Sequence, residues 1–334
     1  MTIRIGKISY WHVHAWEYTK YAQEHPDTEI AAVWDELPER GKESAEKLGV
    51  PFYDSLDDML GSANIDAVIV DAPTTLHHEV LVKSARAGKH IFTEKVVAPT
   101  QREVNDIYAE IEKAGVTLTV SLPRLNAGYT LAIRELLEQK RLGDITLVRV
   151  RLSHDGATRG WLPAHFYNAE QTAGGAMIDL GCHPMYLTSL FLGEPVLSVT
   201  AQYGYMTGKD VEDNAVVTLQ TASGAIGIVE AGFVNAHSPF AIEIHGKDGT
   251  LFYGTPQDKL LLRTNAGGQA AEGWQEIPLP GNRDNAFTQW VDHIKNGTKN
   301  TENVALAAEL TRLMEASNLS ARERRAVRLA ELAQ

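Results

Sequence analysis

The stretch IRIGKISYWHVHAWEYTKYAQEHPDTEIAAVWD, residues 3–35, decides the fold. Residues 3–8 are a short apolar run that reads as a strand. Residues 14–24 carry the amphipathic spacing of a helix. Residues 29–34 are a second apolar run, closed by Asp35. The same alternation continues outward: helix at 39–48 up to Gly49, a short helix at 54–60, a strand at 67–70 (AVIV) and a helix at 77–87 closed by Gly88. A strand at 90–93, a helix at 102–114 ending at Gly115 and a strand at 116–120 complete it. A glycine directly after a helix supplies the left-handed cap. Strands alternating with helices predict a doubly wound parallel sheet. The runs are continuous rather than alternating, as strands covered on both faces require.

After Pro123 the pattern changes. A helix is expected at 129–141, then a strand from Ile145, then a loop rich in glycine, proline and aromatics from His154 to Gly175. Strands near 196–203, 214–221, 224–232, 240–245 and 250–253 follow one another through short turns, so they are expected to be antiparallel. The tail, 304–333, reads as helix. The fold class is therefore α/β: an N-terminal doubly wound (Rossmann) parallel sheet at 1–122, then an α+β domain at 123–334 with a large, mostly antiparallel open sheet.

Bulk properties narrow the function. With 31 Lys and Arg against 43 Asp and Glu, the 334-residue chain carries a formal charge of −12, a poor match to nucleic acid or an anionic membrane surface. The run Arg322, Arg324, Arg325, Arg328 reads as the solvated end of a helix. The single cysteine, Cys182, allows no internal disulfide and suits a reducing compartment. The N-terminus lacks the apolar core of a signal peptide, and no membrane-length apolar run is present, so a cytoplasmic location is expected.

A dinucleotide fold carries G-x-G-x-x-G between its first strand and helix. Here Ser9, Trp11 and His14 stand in the three glycine positions. A bulky Trp11 either obstructs the pyrophosphate or packs under the turn. The helix N-terminus still offers N–H groups and a favourable dipole to phosphate. Ser9 is small, and His12 and His14 read either as donors there or as polar loop residues. His12-x-His14 gives two metal ligands without an acidic partner nearby, and no metal is expected. Asp35 ends the second strand where a carboxylate bonds the ribose hydroxyls, which predicts NAD rather than NADP; it also reads as a helix N-cap.

Three segments carry chemistry together: DAPTTLHHE (71–79), AGKHIFTEKVVAPT (87–100) and GGAMIDLGCHPM (174–185). With the Arg-Leu-Gly-Asp-Ile step at 141–145, their order and spacing resemble the family of glucose-fructose oxidoreductase, inositol dehydrogenase and the rhizopine-catabolism protein MocA over nearly the whole chain. The resemblance implies a NAD-linked dehydrogenase or reductase of a sugar, sugar derivative or cyclitol, assembled as a homodimer or homotetramer through the open sheet face. It implies that Lys95, Asp179 and His183 hold the catalytic positions. The chemistry agrees: of the side chains a histidine, here His183, has the reference pKa best suited to accept an alcohol proton near neutral pH, and a lysine such as Lys95 can stabilise a developing alkoxide. Asp179 precedes His183 by four residues, a spacing that places both on one helix face. Gly174 and Gly175 permit a close backbone approach. Pro73, Thr74, His77, Glu94 and Lys95 are expected along the cofactor. Where the family has proline after Glu-Lys, Val96 stands here. Arg124 and Asn126 open the second domain as substrate candidates. His154, Asp155, Arg159, Trp161 and His165 form a polar and aromatic set suited to a polyol, or else a lid or subunit contact. Glu212, Asp213 and Asn214 read as a turn. Two further functions stay open: a glycosidase-like or lyase-like enzyme with transient hydride transfer, and a non-catalytic NAD or sugar sensor.

Overall fold

In the computed structural model of the chain, residues 2–62, 64–255, 257–266 and 273–332 are described. They form two compact units. One comprises the chain up to Leu122 together with Asp284–Thr311, the other Pro123–Arg283 and the chain from Arg312. An unbroken second domain over 123–334 does not contain that return of Asp284–Thr311 to the first unit. Residues 1, 333 and 334, at the ends of the expected domains and tail helix, lie outside the described residues.

The first unit follows the predicted alternation: β1 (Ile3–Ile8), α1 (Ala15–Glu24), β2 (Thr28–Trp34), α2 (Pro38–Leu48), α3 (Leu56–Ser62), β3 (Ala67–Val70), α4 (His77–Arg86), β4 (His90–Thr93), α5 (Gln101–Ala114) and β5 (Leu118–Val120). The strands lie in the order β2-β1-β3-β4-β5, all parallel. The order reverses between β1 and β3, and open α/β sheets bind their ligands at the carboxyl ends of the strands flanking such a reversal. Those ends are Ser9 and Asp71. The Thr100 hydroxyl and the Glu103 carboxylate close a capping box on α5. Gly49, Gly88 and Gly115 take left-handed φ of 67°, 72° and 69°, as the caps require. One face of the sheet is filled by Ile5, Ile69 and Phe92 against Phe287, Trp290 and Val291 of the helix Ala286–Asn296.

Among the described residues the second unit is built on nine strands: β6 (Ile145–Ser153), β7 (Val196–Gly204), β8 (Asn214–Thr221), β9 (Ile226–Gly232), β10 (Ala241–Gly246), β11 (Gly249–Tyr253), β12 (Leu260–Thr264), β13 (Gln275–Ile277) and β14 (Val327–Arg328). Their order is β13-β12-β11-β10-β6-β9-β8-β7-β14, antiparallel except for the parallel pair β6–β9. The helix Cys182–Leu192 packs against β6 and β9. Along β8 buried Ala215, Val217 and Leu219 alternate with exposed Asn214, Val216, Thr218 and Gln220. One face is therefore covered and the other open, with Val216 and Ile226 exposed; this is the face on which the subunit contact is expected.

Two expectations need correction. The tail helix runs Thr301–Glu323 and stops there. Arg324 turns left-handed at φ 55°, and Val327 pairs with Val199 of β7. The arginine run is thus shared among a helix, a turn and an edge strand. The segment from His154 to Gly175 is not open loop. It forms short helices at Gly156–Arg159, Ala164–Tyr167 and Ala169–Thr172 over a small core of Leu162, Phe166, Ala176 and Phe233.

Candidate active site

The turn after β1 is shaped by residues that replace glycine. Ser9 takes φ 68°, a conformation that costs a residue with Cβ unless local bonds hold it. They do: its hydroxyl accepts the Trp11 N–H at 3.1 Å, its N–H donates to Trp34 O at 2.7 Å, and its carbonyl accepts Lys7 Nζ at 3.0 Å. Trp11 is buried. The aromatic packed beneath the turn is Tyr10, in a cluster with Ala15, Val33 and Ala45.

Lys7 and Asp71, which the sequence reading passed over, are fully buried at the ends of β1 and β3 and form an ion pair. Burial lowers Lys7 and pushes Asp71 up to about 6, while their contact opposes both shifts. Asp71 O also accepts the His12 N–H at 3.1 Å.

Glu94, 1% exposed at the end of β4, gathers several polar groups of this unit. Its Oε1 accepts from the Tyr18 hydroxyl and lies 2.8 Å from His14 Nδ1. His12 Nδ1 is 3.5 Å from the same oxygen. Oε2 accepts the Lys95 N–H at 2.9 Å. Burial alone would raise this carboxyl. His12, Lys95 and the His14 hydrogen bond outweigh burial and hold it well below 4.5. β4 thus supplies the acidic partner that His12-x-His14 lacks in the sequence, and one ligand atom from each residue lies within 4.8 Å of the others. The 2.8 Å between His14 and Glu94 is a hydrogen-bond length. Two ligands on one tetrahedral zinc, each about 2.0–2.1 Å from the metal, stand roughly 3.3 Å apart.

Lys95 is 6% exposed, and the Lys95–Val96 peptide is cis. His77 is buried between carbonyls: Nε2 lies 3.0 Å from Ala72 O, and Nδ1 lies 2.9 Å from Val96 O. Burial lowers it, against those bonds. It therefore fixes the backbone beyond Lys95 instead of presenting a donor outward. Pro73 and Thr74, both buried, begin the turn ahead of it.

At the end of β2, Asp35 does not cap α2, whose N-cap is Leu37. It accepts the Leu37 N–H at 2.8 Å and the Tyr10 N–H at 2.8 Å, and pairs with Arg40 through both oxygens. Beside it, Oε2 of Glu36 is buried without a hydrogen-bond partner. A donor-rich ribose fits that vacancy in the hydrogen bonding, so the residues of this turn suit a dinucleotide.

In the second unit, Asp179 and His183 do not share one helix. Asp179 ends the helix Ala176–Asp179, and His183 lies in the first turn of Cys182–Leu192. Between them the Gly181 N–H reaches back to Ala176 O at 2.9 Å, a five-residue step that offsets the two turns. His183 is 6% exposed, with Nδ1 3.3 Å from the Tyr186 hydroxyl. That hydroxyl accepts the Arg124 N–H at 3.0 Å. Tyr186 is fully buried and ties two predicted site residues together. The Arg124 side chain lies 4.1 Å over the Phe240 ring and donates to the Tyr129 hydroxyl. Asn126 is buried, and its carbonyl accepts the Arg283 N–H.

His154 stacks on Phe233 at 5.1 Å and meets Trp161 at 4.5 Å. Burial lowers it, and the Asp179 charge acts the other way, so these two predicted residues are neighbours. Trp161, exposed, donates from Nε1 to Asp155 at 3.1 Å. Arg159 faces solvent beside Asp155. His165 lies against Phe166 on the short turn Ala164–Tyr167.

Glu212 is more than a turn residue. Its carboxylate accepts the N–H groups of Gly175 at 2.8 Å and Met177 at 2.9 Å, and its carbonyl accepts that of Ala176 at 2.8 Å. Three consecutive orphan donors ahead of Asp179 are satisfied by one residue. A Cβ on Gly175 would stand 2.1 Å from that carbonyl, which explains the glycine. Asp213 is what turns the chain, accepting the Met206 and Thr207 N–H groups. Burial raises Glu212 from 4.5 to about 7. Between those values the unfolded chain has lost a proton that the folded chain keeps, so this group makes stability fall as pH rises through the window. The wild-type melting temperature is expected to drop between about pH 5 and pH 7.5 more steeply than that of Glu212→Gln. Equal slopes would show that Glu212 does not titrate there.

The chain matches the oxidoreductase family model for the NAD-binding Rossmann fold over residues 5–122. It matches the GFO/IDH/MocA C-terminal domain over residues 130–252. It is 26% identical over 317 residues to myo-inositol 2-dehydrogenase of Thermotoga maritima, covering 92% of each chain. It is 26% identical over 276 residues to scyllo-inositol 2-dehydrogenase (NAD(+)) of Bacillus subtilis, covering 80% of this chain and 76% of that one. The structure of levoglucosan dehydrogenase in complex with NADH and levoglucosan shares the fold, with a TM-score of 0.84 at 20% identity over 99% of this chain and all of the other. Among the described residues no helix is long and apolar enough to cross a membrane. Matched in both its parallel-sheet unit and its second unit, this chain is a member of the Gfo/Idh/MocA family, oxidoreductases with an NAD-binding Rossmann domain.

Proposed function

We propose that the protein interconverts a secondary alcohol and a ketone on a sugar, sugar derivative or cyclitol. The observation that carries this reading is the Glu94–Lys95 corner. A buried lysine follows a buried carboxylate that His12 and His14 approach at 3.5 and 2.8 Å, at the strand ends where this fold binds its coenzyme. The relatives named for inositol and levoglucosan support the substrate class.

Ser9, the α1 N-terminus and the Asp35–Glu36–Arg40 corner would hold NAD, which when bound supplies the hydride acceptor or donor. The chain supplies the proton chemistry. His183 is the base for the hydroxyl proton, with Nδ1 engaged by Tyr186 and Nε2 as the transferring nitrogen. Lys95 donates to the substrate oxygen and stabilises negative charge as it develops. Asp179 orients the substrate, with His154 beside it. Arg124, Asn126, Trp161 and His165 are proposed to line the polyol site.

The test is calorimetry with NADH, followed by NAD and a panel of cyclitols and aldoses. NADH binding and NADH production with at least one polyol are expected. Binding without turnover across the panel would favour a sensor, and glycoside cleavage without net NADH the transient-hydride reading.

A further inference from the structure

Asp179 stands on a short turn. The helix it ends spans only Ala176–Asp179. The chain enters that helix through Ala173 at φ 61° and Gly174 at φ 156°, the first a conformation that costs a residue with Cβ. Asn318 Nδ2 holds the Ala173 carbonyl at 3.1 Å. Two peptide groups then carry the turn. The carbonyl of the Gly175–Ala176 peptide accepts the Asp179 N–H at 3.0 Å, and that of the Ala176–Met177 peptide accepts the Leu180 and Gly181 N–H groups at 3.0 and 2.9 Å. Glu212 grips the opposite end of both. Its carbonyl accepts the N–H of the first at 2.8 Å, and its Oε1 accepts the N–H of the second at 2.9 Å. Oε2 takes the Gly175 N–H at 2.8 Å, one peptide earlier. His183 depends less on this anchor, because it lies on the longer helix Cys182–Leu192, packed on β6 and β9, and bonds Tyr186.

We propose that Glu212 is a positioning residue for the reaction: it fixes where the Asp179 carboxylate stands and acts through it. A peptide group bonded at both ends is held more firmly than one bonded at one end, because each bond polarises the other. A carboxylate suits the task, being acceptor-only with two oxygens for two N–H groups. A glutamine of the same size offers one oxygen and turns an NH₂ donor toward the second peptide N–H. An aspartate keeps both oxygens but is one methylene shorter. Burying an ionisable group costs stability, and Glu212, 3% exposed, is pushed up to about 7 by burial. What it contributes is placement: an error of about 1 Å in a group that orients the substrate costs about 10²-fold in turnover.

This inference rests on the role given to Asp179 in the dehydrogenase reading, and a double-mutant cycle separates the two. Full-length wild type, Glu212→Gln, Glu212→Asp, Asp179→Asn and Glu212→Gln/Asp179→Asn are assayed with NAD and the polyol that the wild type oxidises fastest. The assay is run at about pH 8.5, where the Glu212 carboxyl is ionised. NADH affinity is titrated and each protein is melted. Glu212→Gln is expected to lower kcat by about 10–100-fold at unchanged NADH affinity, and Glu212→Asp by a similar factor. In the Asp179→Asn background Glu212→Gln is expected to cost no further activity, since a residue that acts through Asp179 has nothing left to place. A brace of the fold alone would cost the same factor in both backgrounds, and that result overturns the inference. So does wild-type kcat in both single Glu212 variants. Should Glu212→Gln fail to fold, the cycle is built on Glu212→Asp. Full turnover in Asp179→Asn overturns the inference together with the role of Asp179. A wild type that binds NADH but oxidises no polyol overturns it together with the dehydrogenase reading.

Discussion

His183→Ala and Lys95→Ala are each expected to lower kcat by about 10²–10⁴-fold, the usual weight of a positioned proton-transfer group. His183→Ala is expected to leave NADH affinity where it was, because the turn after β1 and the Glu36–Arg40 corner belong to the first unit. The two losses are expected not to add: a Lys95→Ala/His183→Ala double variant should be little slower than the slower single one, as when two groups serve one proton transfer. His183→Ala should also remove the acidic limb of the kcat/KM profile, which reports protonation of the free enzyme's base. Steady-state kinetics of the four proteins over pH checks all three statements. Full turnover in either single variant would take the proton chemistry away from these residues. Strict additivity would mean that they act in separate steps.

Much of this architecture is legible from local sequence because β1 to β5 are buried on both faces and read as unbroken apolar runs. The helices α2, α4 and α5 are followed by Gly49, Gly88 and Gly115, which mark the boundaries. What is not legible depends on partners far along the chain. The helix Ala286–Asn296 has an ordinary amphipathic pattern. Its place under the first sheet, with Phe287 and Trp290 against Phe92, follows from a return of the chain that no local signal announces. β13 is a short edge strand with β12 beside it, and β14 interrupts a helical pattern because pairing with β7 and the bond from Ser320 Oγ to Arg325 O outweigh propensity.

The site divides in the same way. Lys95, Asp179 and His183 are proposed from a motif order, and Asp35 from its place after β2. The residues that hold them were missed. Tyr18, Tyr186 and Glu212 are single polar positions within apolar or turn segments, and periodicity says nothing about such positions. Two clues were available. Lys7 sits inside an otherwise apolar strand, and Asp71 follows AVIV directly. A charge that cannot reach water needs an opposite charge, and parallel neighbours in a sheet are where to look for it.

That pair sets the largest stability effect expected in the molecule. Lys7 and Asp71 are both fully buried, and Asp71 Oδ1 has no partner besides. Removing one member leaves the other as an uncompensated buried charge, so Lys7→Met and Asp71→Leu are each expected to cost about 3–5 kcal/mol. Replacing both by apolar residues removes the two desolvation costs along with the attraction. The Lys7→Met/Asp71→Leu double variant is therefore expected to recover most of the loss, with a large favourable coupling in the cycle built from it and its two single variants. Recovery of stability should not restore function. Lys7 Nζ also holds the Ser9 carbonyl at 3.0 Å, and Ser9 keeps its left-handed turn through such bonds. The double variant should unfold in urea near the wild-type midpoint yet bind NADH more weakly. Unfolding curves and NADH titrations on the same four proteins check this. Additive destabilisation would show that the two charges do not depend on each other. Wild-type affinity in the refolded double variant would show that the turn holds its shape without Lys7.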